Sequence, residues 1–448
     1  MLSRKILIGF IGLLLAFQLP FAAPAFAAGG VDAETVARLE GLIKAQQQQL
    51  EMQQQQLQAL QQQVGQFKQT VTETQAQAKE AKAVADEMKV ANLDPVKKPL
   101  TSGSEKVKLV LSGQINRAMN IVDDGDTTEA YFVDSDASNS KFRLVGTVKI
   151  DDDLTIGTRL ELALAPNESG DVSQDNAESG DFFDQRYADL SLESKRYGKI
   201  FLGKGDTSSN SSAEVDLSGT DLVQYASIAD IAGGMQFVES KGNDLSGISV
   251  SDAFKDFDGL SRKSRIRYDT PTFYGAHLST SWISDKRWDA SAWWGGKGYG
   301  FKVVSAAAMA YINTERETSP NSGQYDDADW QYDGSFSILH EKTGLNFTFS
   351  AGVQEVDNQG DPSNIWGKIG WRTDLVKYGK TSFGVDYGNS NNLVTDKDDG
   401  YSVGATVVQV FNDYGAEFYA QFRVFSLDHD DTNVQNVNVA TVGTRVKF

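Results

Sequence analysis

The sequence predicts an all-β protein, a 16-stranded antiparallel transmembrane β-barrel preceded by an N-terminal α-helical coiled coil. Three observations predict it. An apolar residue recurs every seven positions from Val36 to Ala85. From Val107 onward the period is two, with one face of most strands apolar and the other polar or charged. The connections between those strands alternate between short turns and long polar loops. In a soluble sandwich the outer face would be polar, whereas a barrel in lipid keeps its polar face inside and satisfies every backbone N–H and C=O by closure.

The chain opens with Arg4 and Lys5, an apolar run from Ile6 to Leu19, and Ala25-Phe26-Ala27, which reads as a secretory signal peptide over residues 1–27. No later stretch has the roughly 18–20 apolar residues that a spanning helix needs, so membrane insertion falls to strands. Acidic residues number 61 against 42 basic ones, a net charge of -19. That sign argues against nucleic acid as a partner, because phosphate recognition needs basic surface. Cysteine is absent, and His277, His340 and His429 stand in no metal-ligand spacing, so neither a metal nor a cofactor is expected.

Residues 28–91 carry the coiled coil. Val36, Ile43, Leu50, Leu57, Val64 and Val71 form the first column of the heptad, continued by Ala78 and Ala85. The second column is Leu39, Gln46, Gln53, Leu60, Phe67, Thr74, Ala81 and Met88. A sustained seven-residue period imposes a left-handed supercoil, and the polar members of the second column weaken the seam while restricting its register. The heptad leaves two or three strands open. At about 1.5 Å per residue the arm extends on the order of 80 Å. Pro95, Pro99 and Gly103 then end the helix in a linker over 92–106.

The barrel occupies residues 107–448. Its first strand places Val107, Leu109, Leu111, Ile115, Met119 and Ile121 on one face. Arg117 interrupts that face and is assigned to a partner at a subunit interface. Further strands are predicted at 141–150, 154–165, 184–194, 199–205, 262–269, 274–284, 288–295, 300–312 and 330–340. The last six follow at 345–356, 364–373, 380–389, 399–411, 415–427 and 437–448. The short turns include 151–153, 195–198, 341–344 and 412–414; the long loops include 123–139, 166–183, 313–329 and 428–436, and 285–287 breaks the alternation. Aromatic residues near the strand ends, among them Tyr197, Trp288, Tyr299, Trp371 and Tyr414, suit the lipid headgroup level.

The longest interval without a strand pattern runs from Asp206 to Ser261. A loop of this length in a compact domain is usually functional, and it is long enough to fold back into the barrel. By strand phase, Lys141, Arg143, Arg159 and Glu161 face the lumen, opposite to Phe142, Leu144, Leu160 and Leu162. The acidic loops, such as Asp326-Asp327 and 428–431, are read as solvated, with cation bridges to lipopolysaccharide the alternative.

Leu111-Ser-Gly-Gln114, Phe142-Arg-Leu-Val-Gly146, Arg186-Tyr-Ala-Asp-Leu190, Tyr197-Gly-Lys-Ile-Phe-Leu-Gly203 and Arg267-Tyr-Asp-Thr-Pro271 occur in that order over 107–448. In these motifs the chain resembles the general bacterial porins, trimeric diffusion channels of Gram-negative outer membranes. The resemblance implies a homotrimer in outer-membrane lipid and lipopolysaccharide that passes small hydrophilic solutes. It also implies that the loop 206–261 folds into the lumen, and that Arg186 and Arg262 belong to a basic pore wall faced by Asp216, Asp221 and Asp230. The family's acidic loop patch is altered here to Ala229-Asp-Ile-Ala-Gly-Gly234. The terminal Phe448 is similar to the aromatic residue that the barrel-insertion machinery reads. A coiled-coil arm is not part of the ordinary family; similar arms precede some sugar- and anion-selective porins, and such selectivity is the alternative.

No enzyme is expected. A barrel hydrolase would need a serine or aspartate beside a strand histidine, here His277 or His340, and neither has such a context. A structural tether is the third class, with the arm, in the periplasm, holding a periplasmic or cell-wall component.

Overall fold

The computed structural model describes residues 107–448 apart from 165, 180–182, 285, 313–327, 357–359 and 430–431. The signal peptide and the heptad columns therefore lie outside the described residues.

The described strands begin with β1 (Val107–Asp123), β2 (Thr128–Asp134), β3 (Lys141–Lys149), β4 (Leu154–Ala163), β5 (Asp184–Ser194) and β6 (Gly198–Asp206). Two short strands, β7 (Gln236–Val238) and β8 (Leu245–Ser249), pair with each other inside the long loop. The wall resumes with β9 (Arg262–Asp269), β10 (Ala276–Ile283), β11 (Trp288–Gly298), β12 (Phe301–Tyr311), β13 (Ala328–His340) and β14 (Leu345–Val356). It ends with β15 (Ser363–Val376), β16 (Gly379–Asn391), β17 (Asp399–Phe411), β18 (Ala416–Asp428) and β19 (Val437–Lys447). Every neighbouring pair in the wall is antiparallel, and β1 closes the sheet against β19.

The described wall contains a 17-stranded sheet, yet the barrel has 16 staves. β2 pairs with the second half of β1 and β3 with the first half, so the two share one stave end to end. The alternation in the sequence predicts a loop over 123–139. The chain instead forms β2 there, then a single 3-10 turn at Asp136–Ser138 that interrupts the stave. That turn is held by β1: Gln114 Nε2 donates to the Ser138 and Asn139 carbonyls at 3.0 and 2.8 Å, and Asn116 Nδ2 to Ser138 O at 3.0 Å.

Burial is inverted relative to a soluble sheet. On β14, Asn346, Thr348, Ser350 and Gln354 are buried, while Leu345 and Phe347 on the other face are exposed. Leu111, Leu190, Leu202, Ile266, Leu278, Ile369, Phe418 and Val442 continue the apolar exposed face around the barrel. Apolar residues outward and polar residues inward is what a barrel in lipid requires, because lipid takes the place of a core. Exposed Tyr197, Tyr274, Tyr299 and Tyr414 lie on the short-turn side, the side that also carries Val107 and Phe448. The Phe448 ring lies over Gly113, where an added Cβ would come within 2.6 Å of it, and the two backbones exchange hydrogen bonds of 2.9 and 3.0 Å.

Arg117, assigned from the sequence to a subunit interface, stays part-exposed but also has partners of its own. It is engaged within the chain, donating to the Pro166 carbonyl at 2.9 Å and lying 3.6 Å from Asp134. The interrupted stave leaves these acceptors in reach of β1.

Candidate functional site

The loop 206–261 makes an ordered circuit of the inner wall. Ser208 and Ser209 bond Asp289 and Ser291 on β11. Ser212 bonds Asp333, and the Val215 and Leu217 amides donate to Ser335 and Ser337 on β13, each at 3.0 Å. On β15, Lys368 Nζ is fully buried and spends its three donors on Asp216 Oδ2 (2.5 Å), Thr220 Oγ1 (2.9 Å) and Gln224 O (2.6 Å). Gln224 then bonds Asp386 on β16, Gln421 on β18 donates to Val223 O, and Asn120 on β1 donates to Ile231 O at 2.7 Å.

Two features let the loop lie this close. Inward positions on the wall are glycine where the loop touches it: an added Cβ would meet Asp256 O at 2.8 Å from Gly352, Gln224 Oε1 at 2.1 Å from Gly384, and Ala253 O at 3.0 Å from Gly400. The loop also carries its own core. Leu222, Val223, Ile228, Ile231, Met235, Phe237, Val250 and Phe254 pack with wall residues Val122, Trp366, Phe425, Val437 and Val439. On β18 and β19 the lumen side under the loop is therefore apolar at Phe425, Leu427, Val437 and Val439, beside polar Gln421, Arg423 and Thr441, where strand alternation alone predicts a wet face.

On the opposite sector, β3 to β6 and β9 present the basic wall. Glu161 is fully buried and bridges two arginines, accepting from Arg143 Nε and, at 3.0 Å, from Arg186 Nε. Arg186 reaches it through a β-bulge. Glu161 pairs with Tyr187 and Leu162 with Gln185, so the intervening Arg186 is unpaired. Bulges of this kind re-aim a side chain; strict alternation would have sent either Arg186 or Tyr187 outward. Arg159 stacks over the Tyr187 ring at 3.5 Å and contacts Asp189 at 3.2 Å. It lines a separate 340 Å³ cavity with Lys199, Phe201 and Arg267. Arg262 sits 3.3 Å from both Asp206 and the Tyr187 hydroxyl.

Between loop and wall lies a 470 Å³ cavity. Lys141, Arg186 and Arg262 line it from the barrel, and Glu214, Asp230, Lys255, Asp256 and Asp258 from the loop, with Asp136 at the interrupted stave. Asp230 accepts from Tyr225 and, at 2.9 Å, from Ser227. Asp258 accepts from the Ser211 and Ala213 amides at 2.6 and 3.0 Å.

Three expected site residues go elsewhere. Asp216 is committed to Lys368 on β15 and does not face Arg143, Arg159 or Arg186. Asp221 does not line the cavity either; burial first, and then Asp216, raises its carboxyl against the pull of Lys368. Glu161 lies beneath its two arginines and is closed to solvent. The loop acids that do line the cavity, Glu214, Asp256 and Asp258, were missed as site residues. Their spacing along the loop gives no sign that its two ends meet, as when Leu260 N bonds Ser209 Oγ at 3.0 Å.

The strand histidines stand apart from this cavity: His277 stacks on Trp293, and His340 Nδ1 lies 2.7 Å from Thr343 Oγ1. His429 Nδ1 is 2.7 Å from Asp398 in the long loops.

No curated protein matches the chain significantly in sequence. Among solved structures it is similar to the anion-selective porin from Comamonas acidovorans (12% identity, TM-score 0.51, covering 76% of this chain and 100% of that one). It is also similar to the outer membrane channel DcaP of Acinetobacter baumannii (10%, 0.50, 78% and 99%). A third is the trimer form of OmpT, an outer membrane protein of Vibrio cholerae (15%, 0.50, 77% and 100%). At these identities the likeness concerns the fold. The profile of the Gram-negative porin family matches residues 81–442. With the closed barrel, its outward apolar face and its polar interior, this match shows that the chain belongs to the Gram-negative porin family and is an outer-membrane channel.

Proposed function

We propose that the channel admits small hydrophilic solutes and ions by passive diffusion, through a water-filled passage that the loop 206–261 narrows. The observation that carries this reading is the 470 Å³ cavity, with Lys141, Arg186 and Arg262 on the barrel side and, Lys255 apart, acidic charged residues on the loop side. Opposed charge across a confined opening creates a transverse field that orders water and disfavours apolar solutes. Of the residues expected at the constriction, Lys141, Arg186, Arg262 and Asp230 line this cavity; Arg143 holds Arg186 in place through Glu161, and Arg159 belongs to the adjoining cavity. A sixteen-stranded barrel left open would form a wide channel, so the loop sets the size limit in this reading.

The protein acts as a homotrimer in lipid and lipopolysaccharide, and the arm over 28–91 lies in the periplasm, where it aids assembly or holds a periplasmic or cell-wall component. The basic wall from β3 to β9 favours a second reading, an anion- or sugar-selective channel. Single-channel recording in planar bilayers tests both. Deleting 214–245 should raise conductance severalfold and admit larger sugars; unchanged conductance with a folded barrel refutes the narrowing. Reversal potentials in a salt gradient separate the two selectivities.

A further inference from the structure

The hairpin β7–β8 rises from the inward loop and meets the long connections at one end of the barrel. Its base is fixed. Phe237 is fully buried in the core that the loop shares with Val437 and Val439, and Ile248 packs against the same core. The Val250 amide donates to Met235 O at 2.8 Å where the two strands part. Gln174 clamps this point too, with Nε2 donating to Gln236 O at 2.8 Å and Oε1 accepting from Gln236 N at 2.9 Å. A few residues earlier in the chain, Asp230 lines the cavity.

Beyond this base the arm is bare. Ser240, Lys241, Gly242, Asn243 and Asp244 are exposed. The arm is tied to residues far away in the chain. Gln435 N donates to Val238 O and Ser240 N to Asn433 O, each at 2.8 Å, and Glu239 bridges antiparallel to Val434. Asn243 Nδ2 donates to Asp126 Oδ1 at 2.6 Å. Gly125, at φ 93°, lets this corner close, since a Cβ there would meet Gln435 Oε1 at 2.3 Å. A two-stranded hairpin alone is marginal in water, and a segment held by exposed hydrogen bonds opens at low cost. The arm is therefore ordered by the long connections, while its base is ordered by the core.

We propose that the arm over 239–247 is a strap between the long connections and the passage. Held by Asp126 and by 433–435, it stands clear; released, it hangs from its fixed base beside Asp230 and interrupts the current. A ligand that draws those connections away from the arm would close the channel without entering it. The inference rests on the reading of the cavity as part of the solute path.

The test is single-channel recording of the full-length protein in planar bilayers. The sequence has no cysteine, so Asp126→Cys with Asn243→Cys introduces a single pair, whose bond is counted by thiol titration. With the bond formed, the channel should close about tenfold less often than after reduction of the same sample. Ser240→Pro with Asn243→Ala removes the N–H given to Asn433 and the bond to Asp126, and decides the matter if the cysteine pair does not join. It should close about tenfold more often than the parent, the shift expected from losing these bonds. Release is read separately from current: Val238→Cys, at a side chain 1% exposed, should react with a water-soluble thiol reagent about tenfold faster when combined with the release variant. Faster reaction with an unchanged closing frequency would overturn the proposal, as would no change in either. Equal closing before and after reduction of a formed bond would overturn it as well. The strap reads in the closing frequency and the narrowing in the amplitude of the open state, so each can fail without the other.

Discussion

Single residues govern the basic wall through one buried acceptor. Glu161 has no access to solvent and takes donors from both Arg143 and Arg186. Glu161→Gln keeps the shape but removes the charge that both guanidiniums share. Truncating one side of a buried charge network costs about 3–5 kcal/mol at most, and the part-exposed Arg143 reduces that. A loss of about 1–3 kcal/mol is expected, read as a lower urea midpoint for barrel unfolding. The loop acids make a separate prediction. Burial first, and then Asp256, pushes the Asp258 carboxyl up to about 8. Burial and Asp230 raise Asp136 to about 8, and burial raises Asp230 to about 6 despite its bonds from Tyr225 and Ser227. Each group is neutral below its raised value and charged above it. Cation preference, read from reversal potentials, should therefore grow as pH rises through about 6 to about 8. The folded state holds these protons more tightly than the unfolded chain, so the docked loop should lose stability as pH climbs from the ordinary carboxylate range to about 8. A reversal potential flat across this interval would contradict the assignment of these acids to the passage.

At the scale of elements, the loop is fixed by a polar latch and by an apolar core. Lys368 is the centre of the latch, since its three acceptors Asp216, Thr220 and Gln224 O span the loop's middle. Lys368→Met strands Asp216 without a counter-charge and should loosen this segment. A cysteine at the fully buried Ser218 should then react with a water-soluble thiol reagent at least tenfold faster than in the parent; equal rates would show that the apolar core alone holds the loop. That core should resist in its own right: Phe254→Ala, against Phe425 at 5.2 Å, should cost about 3–5 kcal/mol. The β7–β8 segment adds a third tie, through Ser240 N to Asn433 O at 2.8 Å and Gln435 N to Val238 O at 2.8 Å.

For the whole molecule, an even number of staves puts both ends of the barrel on the short-turn side. If that side is periplasmic, the arm and the long loops lie on opposite sides of the membrane. A cysteine at Asp396, exposed in a long loop, should label on intact cells with an impermeant reagent, and one at Gln55 should not. The reverse pattern would invert the orientation. Removing residues 28–91 should leave a trimer in detergent, because the apolar outer face of the early strands (Leu111, Ile115, Ile156, Leu160) stays available for burial between subunits. A monomer after truncation would show that the arm drives association.

The sequence by itself determined the barrel. Period-two alternation is a local property, so Leu111 outward and Gln114 inward follow from strand geometry alone, and the turns punctuate it within a residue or two. It also marked the loop by its length and placed Lys141 and Arg143 on the lumen face. What it could not decide depends on contacts between residues distant in the chain. Asp216 meets Lys368 across 152 positions, and Asn120 meets Ile231 across 111. β2 was hidden because its half-stave is completed only by β3, and Arg186 turned inward only because a bulge against Glu161 broke the alternation. Which acids face the basic wall was likewise settled by the loop's apolar residues. Once Phe237 and Phe254 pack beneath β18 and β19, the path of the backbone leaves Glu214, Asp256 and Asp258, and not Asp216, along the cavity.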